Sequence, residues 1–164
     1  MCTFNIRFAV KEDNHVIFSL IRQLAEYEKM AQDCVLEEEV LYDSLFNKKS
    51  AEALIGEADG RVVGYALFFS NFSTFLGKAG IYIEDIFVLP EYRGRGLGKR
   101  FFRFIASIAL ARRCARVEWA CLGWNKPSRS FYEGLGAVPK EEWVPYRLEG
   151  EQILKLAQEQ RLPG

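Results

Sequence analysis

The stretch Ile83-Glu84-Asp85-Ile86-Phe87-Val88-Leu89-Pro90-Glu91-Tyr92-Arg93-Gly94-Arg95-Gly96-Leu97-Gly98-Lys99 decides how this chain is read. Its first half reads as a strand, Gly80–Val88, whose apolar run is broken only by two adjacent carboxylates and stops at Leu89-Pro90. Its second half is Arg-Gly-Arg-Gly-x-Gly, and Leu97, Phe101, Phe104, Ile105, Ile108 and Ala109 follow at helical spacing. Glycines at a helix entry let backbone approach a phosphate closely, and unpaired N–H groups with the helix dipole favour an anion there. Arg93, Arg95, Lys99 and Arg100 add positive charge at the same place. No G-x-x-x-x-G-K-[ST] occurs, and no early βαβ unit precedes the glycines, so neither Walker A nor a dinucleotide fingerprint fits. What stays open is a tight structural turn or the diphosphate of a cofactor other than ATP or NAD.

Upstream, Thr3–Ala9 alternates Phe4, Ile6 and Phe8 with polar residues, which predicts a first strand. Asp13 or Asn14 then caps a helix with the stripe Val16, Ile17, Leu20, Ile21, Leu24 and Ala25, ending near Met30. Glu37–Phe46 reads as a shorter helix with carboxylates in its first turn. Ala53–Ala58 and Arg61–Phe69 flank Asp59-Gly60, a hairpin signal, and Asn71–Lys78 reads as a loop. Downstream come a strand Arg116–Leu122, the run Trp124-Asn125-Lys126-Pro127-Ser128, a helix Ser128–Leu135, a strand Val144–Leu148 and a helix Gln152–Gln160. The order β-α-α-β-β-β-α-β-α-β predicts an α/β fold, with helices on a mixed, mostly antiparallel sheet.

Composition narrows the function classes. The 164 residues hold 22 basic and 22 acidic side chains, so no global positive field is available for nucleic acid. With 13 Phe and 14% aromatic residues the chain is expected to fold as one domain, residues 1–164. The four cysteines (Cys2, Cys34, Cys114 and Cys121) are scattered and His15 is the single histidine, so no metal site is expected. No signal-like start and no apolar run of membrane-spanning length is present, which leads to the expectation of a cytoplasmic protein without membrane contact.

Arg93-Gly94-Arg95-Gly96-Leu97-Gly98 resembles the R-x-x-G-x-G loop of the GCN5-related N-acetyltransferases (GNAT). Within that superfamily the chain is most similar to the spermidine/spermine (diamine, thialysine) acetyltransferases. The similar segments are Leu24-Ala25-Glu26-Tyr27-Glu28, the pair Glu84-Asp85, and Trp124–Ser128 ahead of Phe131-Tyr132. The resemblance spans the whole chain. It implies a GNAT fold, with a mostly antiparallel sheet of about six to seven strands flanked by helices, and acetyl-CoA as cosubstrate. It also implies direct attack by a small primary amine in a ternary complex. By the same carry-over the pantetheine arm pairs with backbone at Ile86, Phe87 and Val88. Arg93, Gly94, Arg95, Gly96, Leu97, Gly98 and Lys99 cradle the diphosphate, and Asn125, Lys126, Pro127 and Ser128 flank the arm on its far side.

An alkyl ammonium has a pKa near 10.4, so the acceptor must be bound as a cation and relieved of a proton. Glu84, a carboxylate inside an apolar strand, suits both tasks, directly or through water. Tyr132 suits the acid that protonates the departing thiolate, because a phenol stays protonated at neutral pH. A backbone N–H of Phe87 or Val88 is placed to polarise the carbonyl. Tyr27, Glu28, Glu84 and Asp85 are the expected acceptor-binding residues, within an acidic groove that includes Asp33, Glu37 and Glu38. Each also has a plain structural reading: ion pairing for Glu84, backbone support for Asp85, packing for Tyr132, a solvated helix end for Tyr27 and Glu28.

The polyamine enzymes carry a carboxylate two residues before a C-terminal aromatic-Arg-Leu. Here that position, ahead of Tyr146-Arg147-Leu148, is Val144, with Glu141 and Glu142 displaced beyond Trp143. A diamine, a polyamine and a thialysine-like amino acid stay open as acceptors. So do a protein N-terminus, an aminoglycoside and a non-catalytic acetyl-CoA-binding role. Phe72, Phe75 and Leu76 are unusually apolar for a loop, and with the resemblance they lead to the expectation of a homodimer.

Overall fold

In a computed structural model that describes residues 3–158, alternating Phe4, Ile6 and Phe8 build strand β1 (Phe4–Phe8). It pairs antiparallel with β2 (Glu52–Ala58), and Asp59-Gly60 turns the chain into β3 (Arg61–Ser73). β4 (Lys78–Val88) continues the antiparallel order, and β5 (Val117–Trp119) adds to β4 in parallel. The sheet order is β1-β2-β3-β4-β5, so each strand lies beside its sequence neighbour. Among the described residues the sheet has five strands, not six to seven.

The expected strand Val144–Leu148 is irregular, and Pro145 at its centre has no N–H to give a ladder. The expected strand Arg116–Leu122 shrinks to three residues. Conversely, β3 and β4 run through most of the expected loop Asn71–Lys78, leaving residues 74–77 as the turn. The closing helix is α5 (Glu151–Gln158); its expected last residues lie outside the described ones.

Helix α1 (Asn14–Tyr27) stops short of Met30, and Lys29 follows in a left-handed conformation at φ +61°. Helix α2 (Glu38–Tyr42) widens into a π turn over Asp43–Asn47, so the expected helix Glu37–Phe46 is present in a loosened form. Asp13 does precede α1, yet its carboxylate does not cap the helix. It accepts from Arg7 Nη1 and Nη2 at 2.7 and 2.9 Å and from the Val10 N–H at 2.8 Å. Arg7 Nε also donates to Glu57, which ties β1, β2 and the start of α1 together.

The sheet carries one apolar layer on each face. Leu97, Phe101, Ile105 and Ile108 of α3 (Leu97–Ala111) pack with Leu54, Ala66, Phe68, Ile81 and Ile83. On the other face Ile17 and Leu20 of α1 and Leu41 of α2 pack with Ile55, Tyr65 and Phe87. Burying side chains of this size contributes about 1.5–3 kcal/mol each, which holds the sheet between its helices. The chain divides after Leu122 into two compact units. The first holds the sheet with α1, α2 and α3; the second holds α4 (Lys126–Gly134) and α5. No helix among the described residues is long and apolar enough to cross a membrane.

Candidate active site

Glu84 has no residue opposite it. β3 pairs Leu67 with Asp85 and Phe68 with Ile83, so Glu84 is the extra residue of a β-bulge. On a regular strand adjacent side chains point to opposite faces. The bulge resets that alternation. Ile81 and Ile83 before it, and Ile86 and Val88 after it, all pack with the α3 layer, whereas Phe87 packs with the α1 layer. Glu84 and Asp85 are therefore both turned to the α1 face.

There the Tyr65 hydroxyl, on a fully buried ring, donates to Asp85 Oδ2 at 3.0 Å. Burial pushes the Asp85 carboxyl up to about 6; the Tyr65 bond opposes this, and the charges of Glu84 and Glu28 add to it. Burial and the Asp85 charge hold the Tyr65 phenol well above its ordinary value, so it remains a donor. Glu28, just past α1, is itself pushed up by burial, and its charge reaches both Asp85 and Tyr65. Glu28 from the end of α1, Tyr65 of β3 and Glu84 of the bulge thus all act on Asp85. Next to them the α1–α2 connection opens a depression of about 450 Å³ lined by Asp33, Cys34, Val35, Leu36, Glu37 and Val40. Cys34 is close enough for its charge to raise the Tyr65 phenol. Glu38 faces elsewhere, pairing with His15 at 3.0 Å on the surface.

Beyond β4, Pro90–Tyr92 forms one 3-10 turn, and Gly94 (φ +73°) and Gly96 (φ +88°) take left-handed conformations before α3. A Cβ added at either would meet nothing within 4 Å, so backbone conformation, not crowding, requires glycine, and the outer face of the loop is open. Gly96 stands at the helix cap with no side chain to take the N–H groups of Leu97, Gly98 and Lys99. That array of donors suits an anion. Leu97 is buried and anchors the helix start, and Arg95 lies 5.6 Å from the ring of Tyr92.

Two of the loop's arginines turn back into the fold. Arg100 donates to the Phe4 carbonyl at 3.1 Å. Arg93 Nε donates to the Val88 carbonyl at 2.8 Å, while its guanidinium carbon lies 4.6 Å from the Tyr27 ring centre and 5.4 Å from that of Phe87.

The strand edge beside the loop is also available. β5 pairs only with Ile81–Ile83, so among the described residues β4 has no ladder on that side from the bulge onward. The Leu89 N–H donates to Val63 on β3, so by alternation the N–H groups of Val88 and Ile86 face the other way, toward the uncovered edge. Phe87 faces β3, where Gly64 is needed for close approach: a Cβ there would stand 2.6 Å from the Phe87 carbonyl oxygen. An extended chain of amides can add to such an edge as a strand would. In the second unit Asn125 Oδ1 accepts from the Ser128 N–H at 3.3 Å, which caps α4, with Lys126 and Pro127 in its first turn. Tyr132 sits in the same helix, its ring 5.6 Å from that of Phe131.

Glu28, Glu84 and Asp85 were expected from the sequence; Tyr65 and Cys34 were not. A phenol inside an apolar run, here Val62–Phe69, needs a buried partner, and that was the available signal for Tyr65.

Residues 18–137 match the model of the acetyltransferase (GNAT) family, and the chain belongs to that family. It is an acetyltransferase with the GNAT fold. It is 40% identical to a thialysine N-epsilon-acetyltransferase of Bos taurus over 93% of this chain and 96% of that one. It is 30% identical to the L-ornithine N5-acetyltransferase NATA1 of Arabidopsis thaliana over 90% of this chain and 85% of that one. Among solved structures, an integron cassette protein from the V. cholerae mobile metagenome superposes with a TM-score of 0.79 at 25% identity, covering 94% of this chain and 98% of that one.

Because the Tyr65 bond favours the ionised carboxylate, Tyr65→Phe will move the Asp85 pKa above about 6. Carboxyl NMR reads this directly; an unchanged titration would contradict the assignment. In the wild type the folded chain takes up a proton at Asp85 below about 6, whereas an unfolded Asp does so only near 3.9. Asp85 therefore adds stability as pH falls between those values, and loses that contribution as pH rises through 6.

Proposed function

We propose that this chain moves the acetyl group of acetyl-CoA to a primary amine of a small molecule, with the side-chain amine of a basic amino acid, such as thialysine or ornithine, as the preferred acceptor class. The observation that carries this reading is the bulge that turns Glu84 and Asp85 to one face beside Glu28, a carboxylate cluster suited to an ammonium group. The names of two relatives, which refer to thialysine and ornithine, support it. Val144, standing where polyamine enzymes carry a carboxylate, weighs against a long polyamine; a diamine is the second reading.

Acetyl-CoA supplies the activated acetyl group. The N–H groups at the start of α3 and the exposed Lys99 hold the diphosphate, and the edge of β4 at Ile86 and Val88 takes the amides of the arm, while the backbone of Phe87 is paired to β3. Glu28 and Glu84 hold the amine as a cation. Its proton passes to the Glu84–Asp85 pair, directly or through a water. Asp85, lifted by burial, is suited to take the proton, and exposed Glu84 hands it to solvent. Tyr132 holds the proton given to the departing sulfur. Residues 1–164 act together as one acetyltransferase domain in a cytoplasmic setting. The exposed Phe72, Phe75 and Leu76 at the β3–β4 turn form the contact with a second copy.

Release of free thiol from acetyl-CoA, measured with thialysine, lysine, ornithine, putrescine, spermidine, spermine, an aminoglycoside and an N-terminal peptide, tests the acceptor class. Saturable turnover is expected with the basic amino acids. Tight acetyl-CoA binding without turnover of any would contradict the reading and favour a binding module. Asp85→Asn and Tyr132→Phe are expected to lower kcat about 100-fold with acetyl-CoA affinity nearly unchanged, and wild-type turnover in either would remove that residue from its role. Light scattering at micromolar concentration is expected to give twice the chain mass, with Phe75→Asp giving a monomer; a monomeric wild type would refute the dimer.

A further inference from the structure

We propose that Arg93 is a positioning residue that couples the glycine loop to the acceptor side of the site. The motif would lead one to expect this arginine to face phosphate. In the structure its side chain lies back against the protein, with Nε on the Val88 carbonyl at 2.8 Å and its guanidinium against the rings of Tyr27 and Phe87. Those three partners belong to two parts of the site. Tyr27 is the last residue of α1 and precedes Glu28, whose charge acts on Asp85 and Tyr65. Phe87 and Val88 end β4 on the strand edge described above. Arg93 itself is covalently followed by Gly94, the first left-handed residue of the loop.

A planar guanidinium can present its face to an aromatic ring while its edge donates to a carbonyl, which an ammonium cannot do in the same geometry. The side chain therefore links the loop to the end of α1 and to β4 at once. An anion that orders the loop also fixes Arg93, and through the Tyr27 contact it fixes the backbone that carries Glu28. Conversely, an unordered loop leaves Glu28 less well held next to Asp85. The loop and the carboxylate cluster then share a coupling free energy, with no contact between the two ligands required.

This inference rests on the acetyl-CoA reading above, and the test separates the two. Hydrogen exchange of the peptide spanning residues 22–32 is followed with and without coenzyme A in the wild type, Arg93→Lys and Tyr27→Leu, alongside the coenzyme A Kd of each. Coenzyme A is expected to slow exchange in this peptide at least about fivefold in the wild type. Both variants are expected to lose that protection while binding coenzyme A within about threefold of wild type. The KM for the amine should rise about fivefold or more in each variant, with the double variant little worse than either single one. Protection that persists in Arg93→Lys, or additive effects of the two substitutions, would overturn the coupling. If Arg93→Lys alters only coenzyme A affinity, the arginine serves the phosphates and the proposal is wrong. A wild-type chain that does not bind coenzyme A would instead overturn the functional reading, and the coupling with it.

Discussion

One residue too many in strand β4 shapes much of the rest of the first unit. Without the bulge at Glu84, period-two alternation would carry one of the two adjacent carboxylates into the apolar layer under α3. An ionised group there, beside Phe68, Phe101 and Ile105, would face a desolvation cost that no neighbour offsets. With the bulge, Ile81, Ile83, Ile86 and Val88 all remain with α3, and both carboxylates face α1. The same strand then runs past the end of β5, leaving an edge, and leads through Pro90 into the glycine loop. Carboxylate cluster, strand edge and anion-suited helix start therefore lie in sequence along a single strand and its exit.

The charge arrangement follows from the same geometry. Burial alone would make Asp85 a costly ion, and the neighbouring Glu84 and Glu28 add to that cost. The buried Tyr65 hydroxyl offsets part of it by donating to Oδ2, and Tyr65 is itself held in place by the α1 layer. A carboxylate that titrates near 6 is a better base at neutral pH than an ordinary one while still being largely ionised. Arg93 reaches both the α1 end and β4, where it engages the ring faces of Tyr27 and Phe87 and the Val88 carbonyl.

Much of this was legible in the residues. Alternation marked β1, Asp59-Gly60 marked the β2–β3 hairpin, and the glycine pattern marked the entry to α3 with its left-handed positions. The adjacent Glu84-Asp85 pair was legible as chemistry, but its shared face was not, because a bulge depends on the register of the neighbouring strand. Tyr65 was hidden for the same reason: its partner lies 20 residues away across that register. The direction of Arg93 depends on Tyr27, far away in sequence, so local spacing could only place it at the start of the glycine loop. β5 is shorter than expected and Val144–Leu148 forms no strand, because a strand-like composition by itself supplies no hydrogen-bond partner.

In the proposed function the face shared by Glu84 and Asp85 receives the acceptor's ammonium group. Titrating the Asp85 carboxyl by NMR at saturating thialysine, with coenzyme A bound, tests it most directly. A cation seated there favours the ionised form, so the Asp85 pKa is predicted to fall below about 6 when the amine is added. An Asp85 titration that is the same with and without a demonstrably bound amine would contradict the account, because the acceptor's charge would then lie elsewhere.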